Sequence, residues 1–171
     1  MLENEVEQKF ISAYDTYQNA IFRHCFFRVF ERELARDLTQ ETFIKTWDYI
    51  QQGKEVKNMQ AFLYKTATNL IIDYVRKKKE QSLDAMTDAG FQPSNTRDEL
   101  GVLDAKMEVE ELMNILDTLD DMYREPFLLR FVEGLKPKEI ALVLNEDVNV
   151  ISVRITRAKR QVIQKIKKNI Q

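Results

Sequence analysis

The chain of 171 residues is 44% hydrophobic and 32% charged, with 4 Gly and 3 Pro. That composition supports a packed core, excludes a disordered chain, and favours long helices over many short strands. A single cysteine, Cys25, and a single histidine, His24, exclude a disulfide framework and a soft-ligand metal cluster, and nothing points to a carboxylate-only site or to any cofactor.

No run reaches the ~18 consecutive apolar residues of a membrane span. The acidic start MLENEVEQKF lacks the apolar core of a signal peptide. The expectation is a cytoplasmic protein with no membrane insertion. Net charge is −2, but the charge is unevenly spread. Residues 1–80 carry 13 basic and 12 acidic groups, residues 81–122 carry 2 and 11, and residues 123–171 carry 11 and 5. From Val150 onward there are 7 basic and no acidic residues. A basic terminal stripe is an electrostatic footprint for phosphate, although a solvated helix face has the same composition.

The first predicted helix runs from about Glu5 to Phe30, with Val6, Phe10, Ala13, Tyr17 and Ile21 on one face. The second runs from about Glu31 to Gln51, burying Leu34, Leu38, Phe43, Trp47 and Ile50, and Gly53 ends it. A polar loop follows, from Gly53 to Asn58. In the third helix Met59, Phe62, Leu63, Thr66, Ala67, Leu70, Ile71 and Tyr74 keep a helical period for over four turns. It is expected to end in Arg76-Lys77-Lys78-Lys79, cations at a helix C-terminus.

Periodicity then disappears over residues 81–103, which are crowded with Ser, Asp, Thr, Asn, Gly and Pro. This stretch reads as an acidic linker between a domain over 1–80 and a second over 104–171. In the second domain Met107, Leu112, Leu116 and Leu119 mark one helix. Phe127, Leu128, Phe131 and Val132 mark another, with Pro126 in or just before its first turn and Gly134 as the C′ residue. A short helix from Pro137 to Leu144, a turn from Asn145 to Asp147 and a long basic helix from Val148 to about Asn169 complete the chain. Asp147 is placed to cap that last helix. The fold class is all-α: two small helical domains joined by an acidic linker, the second ending in a helix-turn-helix.

Three patterns carry functional chemistry. The ending is helix-turn-helix arithmetic: Ile140, Ala141, Val143 and Leu144 face inward from the short helix, as do Val150 or Ile151, Ile155, Ala158 and Val162 from the long one. Outward lie Asn149, Ser152, Arg154, Thr156, Arg157, Lys159 and Arg160, short polar and long cationic groups that reach base edges and phosphates. The third helix carries Lys65, Asn69, Asp73, Arg76 and Lys77 opposite its apolar stripe, with Tyr64 nearby. Cations, an amide and an aromatic suit a separated DNA strand, although a solvated terminus looks the same. The second helix presents Asp37, Gln40, Glu41, Lys45 and Asp48 on one stripe, either inert or a protein-docking face. Enzyme signals are absent: there is no Gly-rich phosphate loop and no HExxH. Adjacent His24 and Cys25 point ~100° apart on a helix, a poor catalytic pair.

Four segments, in order and covering about residue 10 to the C-terminus, resemble the extracytoplasmic-function sigma factors of the sigma-70 family. These are Ala35–Trp47 (ARDLTQETFIKTW), Phe62–Lys78 (FLYKTATNLIIDYVRKK), Arg124–Leu135 (REPFLLRFVEGL) and Ile140–Lys159. The resemblance implies a subunit that gives core RNA polymerase its promoter choice. The Asp37–Asp48 stripe would dock on the polymerase clamp helices, and the polar face of the third helix, with the loop before it, would bind the melted minus-ten strand. The last helix would enter the major groove at the minus-thirty-five element, and the linker would thread toward the RNA path. The partners implied are core RNA polymerase, promoter DNA and an anti-sigma factor. Two positions depart from the family pattern. Ser152-Val153 stands where a basic residue followed by Ser is usual, and Asn145-Glu146 where Gly and an apolar residue are usual. From the residues alone, a helix-turn-helix regulator that binds duplex DNA by itself and a helical adaptor remain as alternatives.

Overall fold

The computed structural model describes residues 2–84 and 111–169, and every regular element among them is helical. The expected linker beyond residue 84, with Met107, lies outside the described residues. The chain divides into two compact units, Met1–Thr96 and Arg97–Gln171.

The first unit is a three-helix bundle of α1 (Leu2–Val29), α2 (Arg32–Gln51) and α3 (Met59–Asp84), each packed on the other two. Only Phe30 and Glu31 connect α1 to α2. Phe30 makes the reversal with φ 53, a left-handed conformation that costs an L-residue about 1–2 kcal/mol. Its amide remains satisfied by Phe26 O at 2.8 Å. Gly53 supplies the same left-handed step after α2, with φ 76. α3 starts at an Asn58 cap, whose side-chain oxygen accepts the Ala61 amide at 2.9 Å. The helix does not stop at the lysine run but continues to Asp84. No Gly or Pro interrupts residues 76–84, and Glu80 lies one turn beyond Arg76 at 4.0 Å.

The inner face of α2 differs from its apolar periodicity. Leu34, Trp47 and Ile50 are only half-buried, while Thr39, Thr42 and Thr46 are buried beside Ala35, Leu38 and Phe43. Each threonine hydroxyl donates to the carbonyl four residues back: Thr39 to Ala35 at 2.6 Å, Thr42 to Leu38 at 2.7 Å and Thr46 to Thr42 at 2.8 Å. The polar groups are satisfied within their own helix, so they enter the core without a partner on another element. Phe10 and Tyr14 of α1 close over this face. Phe10 stands 4.9 Å from Trp47, and Tyr14 stands 4.8 Å from Phe43.

The second unit contains α4 (residues 111–117), α5 (Asp121–Phe131), α6 (Pro137–Leu144) and α7 (Val148–Asn169). Ile115, Leu116, Leu119, Phe127, Leu128, Ala158 and Val162 form a buried cluster beneath α7. Pro126 is the sixth residue of α5, a buried interior position and not a first-turn one. Gly134 has φ 76 but lies two residues past the Val132 C-cap, so it redirects the chain one step later than a C′ glycine. The inner stripe of α7 runs through Ile151, Ile155, Ala158 and Val162, whereas Val150 is exposed.

His24 sits in the core of the first unit, fully buried. Its Nε2 lies 3.0 Å from Thr68 Oγ1, and its ring stands edge-on to Tyr64 at 5.0 Å. Burial, with the nearby Arg28 guanidinium adding to it, holds the imidazole well below its ordinary value of 6.5. The unfolded chain therefore takes up the proton first, and stability falls as pH drops through 6.5 toward the folded-state value. The slope of unfolding free energy in that window is expected to approach ~1.4 kcal/mol per pH unit. Denaturant titrations between pH 7.5 and 5 check this. His24 is the sole histidine, so a His24→Leu variant should lose the histidine part of the slope.

Candidate polymerase and promoter interfaces

The outward stripe of α2 is built by the burial of the opposite face. With Ala35, Leu38, Thr39, Thr42, Phe43 and Thr46 inside, positions 37, 40, 41, 44, 45 and 48 fall on one exposed strip. Asp37, Gln40, Glu41, Lys45 and Asp48 all lie there, exposed. Lys45 Nζ is 3.6 Å from Glu41, an exposed pair that contributes little to stability. At the centre of the strip is Ile44, 60% exposed. Sequence reasoning passed over it, though its spacing of three from Glu41 and four from Asp48 was a sufficient signal. An exposed β-branched side chain ringed by polar groups has the composition of a protein-docking spot.

On α3, Lys65, Asn69, Asp73, Arg76 and Lys77 are all exposed. Arg76 reaches Asp73 at 3.4 Å and Glu80 at 4.0 Å, so its charge is partly compensated in the free protein. Tyr64 does not join this surface. Its side chain is 1% exposed and packs against His24, so it belongs to the core. The aromatic near the basic end is half-buried Tyr74, with Lys78 Nζ 5.9 Å above its ring.

The second unit presents α7 through a well-defined turn. Lys136 N–H donates to Glu139 at 2.7 Å and Pro137 opens α6, so the short helix has a fixed start. Asn145 ends it in the left-handed conformation, φ 52 and ψ 50. Asp147 then caps α7, its carboxylate accepting the Asn149 amide at 2.7 Å. Ile151 and Ile155 face inward, so Asn149, Val153, Thr156 and Arg160 point most directly out, with Ser152 and Lys159 to one side and Arg157 to the other. All seven are exposed. Val153 lies between two shallow depressions. One is lined by Met122, Tyr123, Asn149, Val150, Val153, Arg154 and Arg157, the other by Ser152, Val153, Thr156, Arg157 and Arg160.

The hydroxyl protons of this face are committed inward. Ser152 Oγ donates to Val148 O at 2.8 Å, and Thr156 Oγ1 donates to Ser152 O at 2.9 Å. Lys159 Nζ lies 5.9 Å over the Phe131 ring. Arg154 stands apart from the other expected DNA-facing residues: it is half-buried, and its guanidinium is 3.1 Å from Glu146 in the turn. Among the described residues no group of three or more His, Cys, Asp or Glu side chains could hold a metal ion, and no helix is long and apolar enough to cross a membrane.

Two helical units, the second ending in a helix-turn-helix whose last helix carries no acidic residue, have the architecture of a DNA-binding protein. Residues 13–81 match Sigma-70 region 2 and residues 109–162 match Sigma-70, region 4. The chain is 31% identical over 162 residues to the ECF RNA polymerase sigma factor SigW of Bacillus subtilis, covering 90% of this chain and 86% of that one. It is 30% identical over 157 residues to SigM of the same organism, covering 86% and 89%. Its fold is similar to that of the sigma factor RpoE from Bartonella quintana, solved in complex with the anti-sigma factor NepR. That match has a TM-score of 0.71 at 21% identity and covers 94% of this chain and 98% of that one. The chain belongs to the extracytoplasmic-function sigma factors, which direct RNA polymerase to promoters to initiate transcription.

The Asp147 cap sets where α7 begins. Replacing it by Ala removes one acceptor for the orphan amides of the first turn. Asp147→Ala is expected to cost about 1 kcal/mol, read as a lower midpoint in chemical denaturation of the full chain.

Proposed function

We propose that the exposed faces of α2, α3 and α7 divide the work of a sigma factor. The α2 stripe of Asp37, Gln40, Glu41, Lys45 and Asp48, centred on Ile44, docks on core RNA polymerase. The α3 face of Lys65, Asn69, Asp73, Arg76 and Lys77 holds the melted minus-ten strand. α7 enters the major groove at the minus-thirty-five element, with Asn149, Ser152 and Val153 nearest the bases and Arg157, Lys159 and Arg160 on phosphates. The domains are 1–84, which takes in the whole of α3 in place of the expected end at 80, and 104–171, and the acidic stretch between them follows the RNA path within polymerase. The protein works in the cytoplasm, by binding alone, and an anti-sigma factor is its regulatory partner.

The observation that carries this reading is the α2 stripe, six exposed positions in register with an isoleucine at the centre, in the same chain as a helix-turn-helix. A regulator that bound duplex DNA by itself would have no use for such a stripe. In vitro transcription with core polymerase and a randomised promoter library tests the function and yields the promoter sequence.

Docking is tested by titrating labelled protein with core polymerase. Ile44→Asp, and separately Gln40→Ala with Glu41→Ala, should weaken binding roughly tenfold or more while the melting curve of the free protein stays in place. Unchanged affinity in both would remove the α2 assignment.

Strand capture is tested by open-complex formation. Arg76 must exchange Asp73 and Glu80 for phosphate, so its net gain is smaller than that of a freely solvated cation. Arg76→Ala with Lys77→Ala should slow opening on the selected promoter with little change in core binding. An equal loss of both would mean the α3 face has another role.

A further inference from the structure

The turn of the helix-turn-helix carries a charged pair at a point where the chain approaches DNA. Glu146 is held twice. Its N–H donates to Ala141 O of α6 at 3.0 Å, and its carboxylate meets Arg154 of α7 at 3.1 Å. One residue thus ties the end of α6 to a position two turns into α7. Arg154 keeps only 21% of its side chain exposed, and it shares a depression with Met122 and Tyr123 at the start of α5. The other cations of α7 differ. Arg157, Lys159 and Arg160 are exposed, and among the described residues no carboxylate lies in ion-pair range of them.

The two chemistries open to Arg154 compete for one guanidinium. To meet a phosphate, the guanidinium would have to leave Glu146, and a carboxylate would then stand uncompensated in a turn facing the DNA backbone. That carboxylate would repel the phosphates it faces, which offsets the gain from the new contact. Kept in place, the same pair neutralises Glu146 and fixes the angle between α6 and α7.

We propose that Glu146 and Arg154 form an internal brace that sets how α7 is presented to the minus-thirty-five element, with Arg154 a positioning residue and not a phosphate contact. This rests on the reading that α7 enters the groove, and it removes one residue from the DNA-contacting set expected from the sequence. The departure at Asn145-Glu146 places a carboxylate in the turn, and Arg154 on the flank of α7 meets it.

Salt dependence separates the roles, because each lost phosphate contact lowers the slope of log affinity against log salt by about 0.9, whereas a lost brace changes affinity at constant slope. Holoenzyme assembled from the full chain and core polymerase is titrated with the promoter fragment selected from the randomised library, at several salt concentrations. Arg157→Ala serves as the phosphate-contact reference and should lower the slope by about 0.9. Arg154→Ala and Arg154→Met, the latter keeping the apolar stem, should both weaken binding roughly tenfold with the slope unchanged. Glu146→Gln should bind no more tightly than the wild type, and Arg154→Met should cost less in that background than alone. A slope that falls for Arg154→Met as it does for Arg157→Ala, or a Glu146→Gln variant that binds more tightly, overturns the brace. If Arg157→Ala leaves affinity and slope untouched, the groove reading fails and the brace falls with it.

Discussion

The bundle of α1, α2 and α3 depends on how α2 buries polar atoms. A hydroxyl taken into a core without a partner costs about 1–3 kcal/mol, and α2 places three of them there. Each is answered by a carbonyl one turn back, so the cost is met inside a single helix and no neighbouring element is constrained to supply a donor or acceptor. The threonines are also short, which leaves room for the rings of Phe10 and Tyr14 to lie across Phe43 and Trp47. With one face settled in this way, the phase of α2 is settled, and the opposite strip has to face water.

Charge is unevenly distributed within the second unit. Asp117, Asp120 and Asp121 lie where α4 gives way to α5, and Arg124 meets Asp117 at 3.5 Å and Asp121 at 2.9 Å. α7 carries only cations, and Lys165 near its end is tied back to Thr118. The acidic junction of α4 and α5 thus lies against the basic end of α7 and is partly compensated by it and by Arg124. The basic face has a neutral middle, in which Val153 lies between hydroxyls whose protons point back into the helix. Cations around a neutral centre separate attraction to any DNA from discrimination among bases.

Where the chain signals its structure through local chemistry, the sequence is legible. Pro137, Asn145 and Asp147 each do one thing that only a few residue types can do, and α6, the turn and α7 fall where they indicate. Apolar periodicity is a weaker guide. It favoured Leu34, Trp47 and Ile50 over the threonines of α2, because a hydroxyl looks polar until its bond to the preceding turn is seen. It left Tyr64 on the surface because a residue at the edge of the stripe is assigned by its neighbours across the bundle, here His24. It ended α3 at the lysine run, although no residue there breaks a helix. The state of Arg154 was out of reach altogether: a helical wheel places it on a flank, and only the left-handed Asn145 brings Glu146 within its range.

The two-residue link between α1 and α2 sets more than a direction. Because Phe30 turns the chain in a single left-handed step and Glu31 leads into α2, there is no slack in which an insertion or deletion could be absorbed. One residue more or less would rotate α2 by about 100° about its axis. Ile44 and its acidic neighbours would swing toward the bundle, and the threonines would swing toward solvent. Most surface connections tolerate length variation among relatives. This one acts as a phase lock, so lineages that keep the α2 surface should vary its residues but hold its length at two.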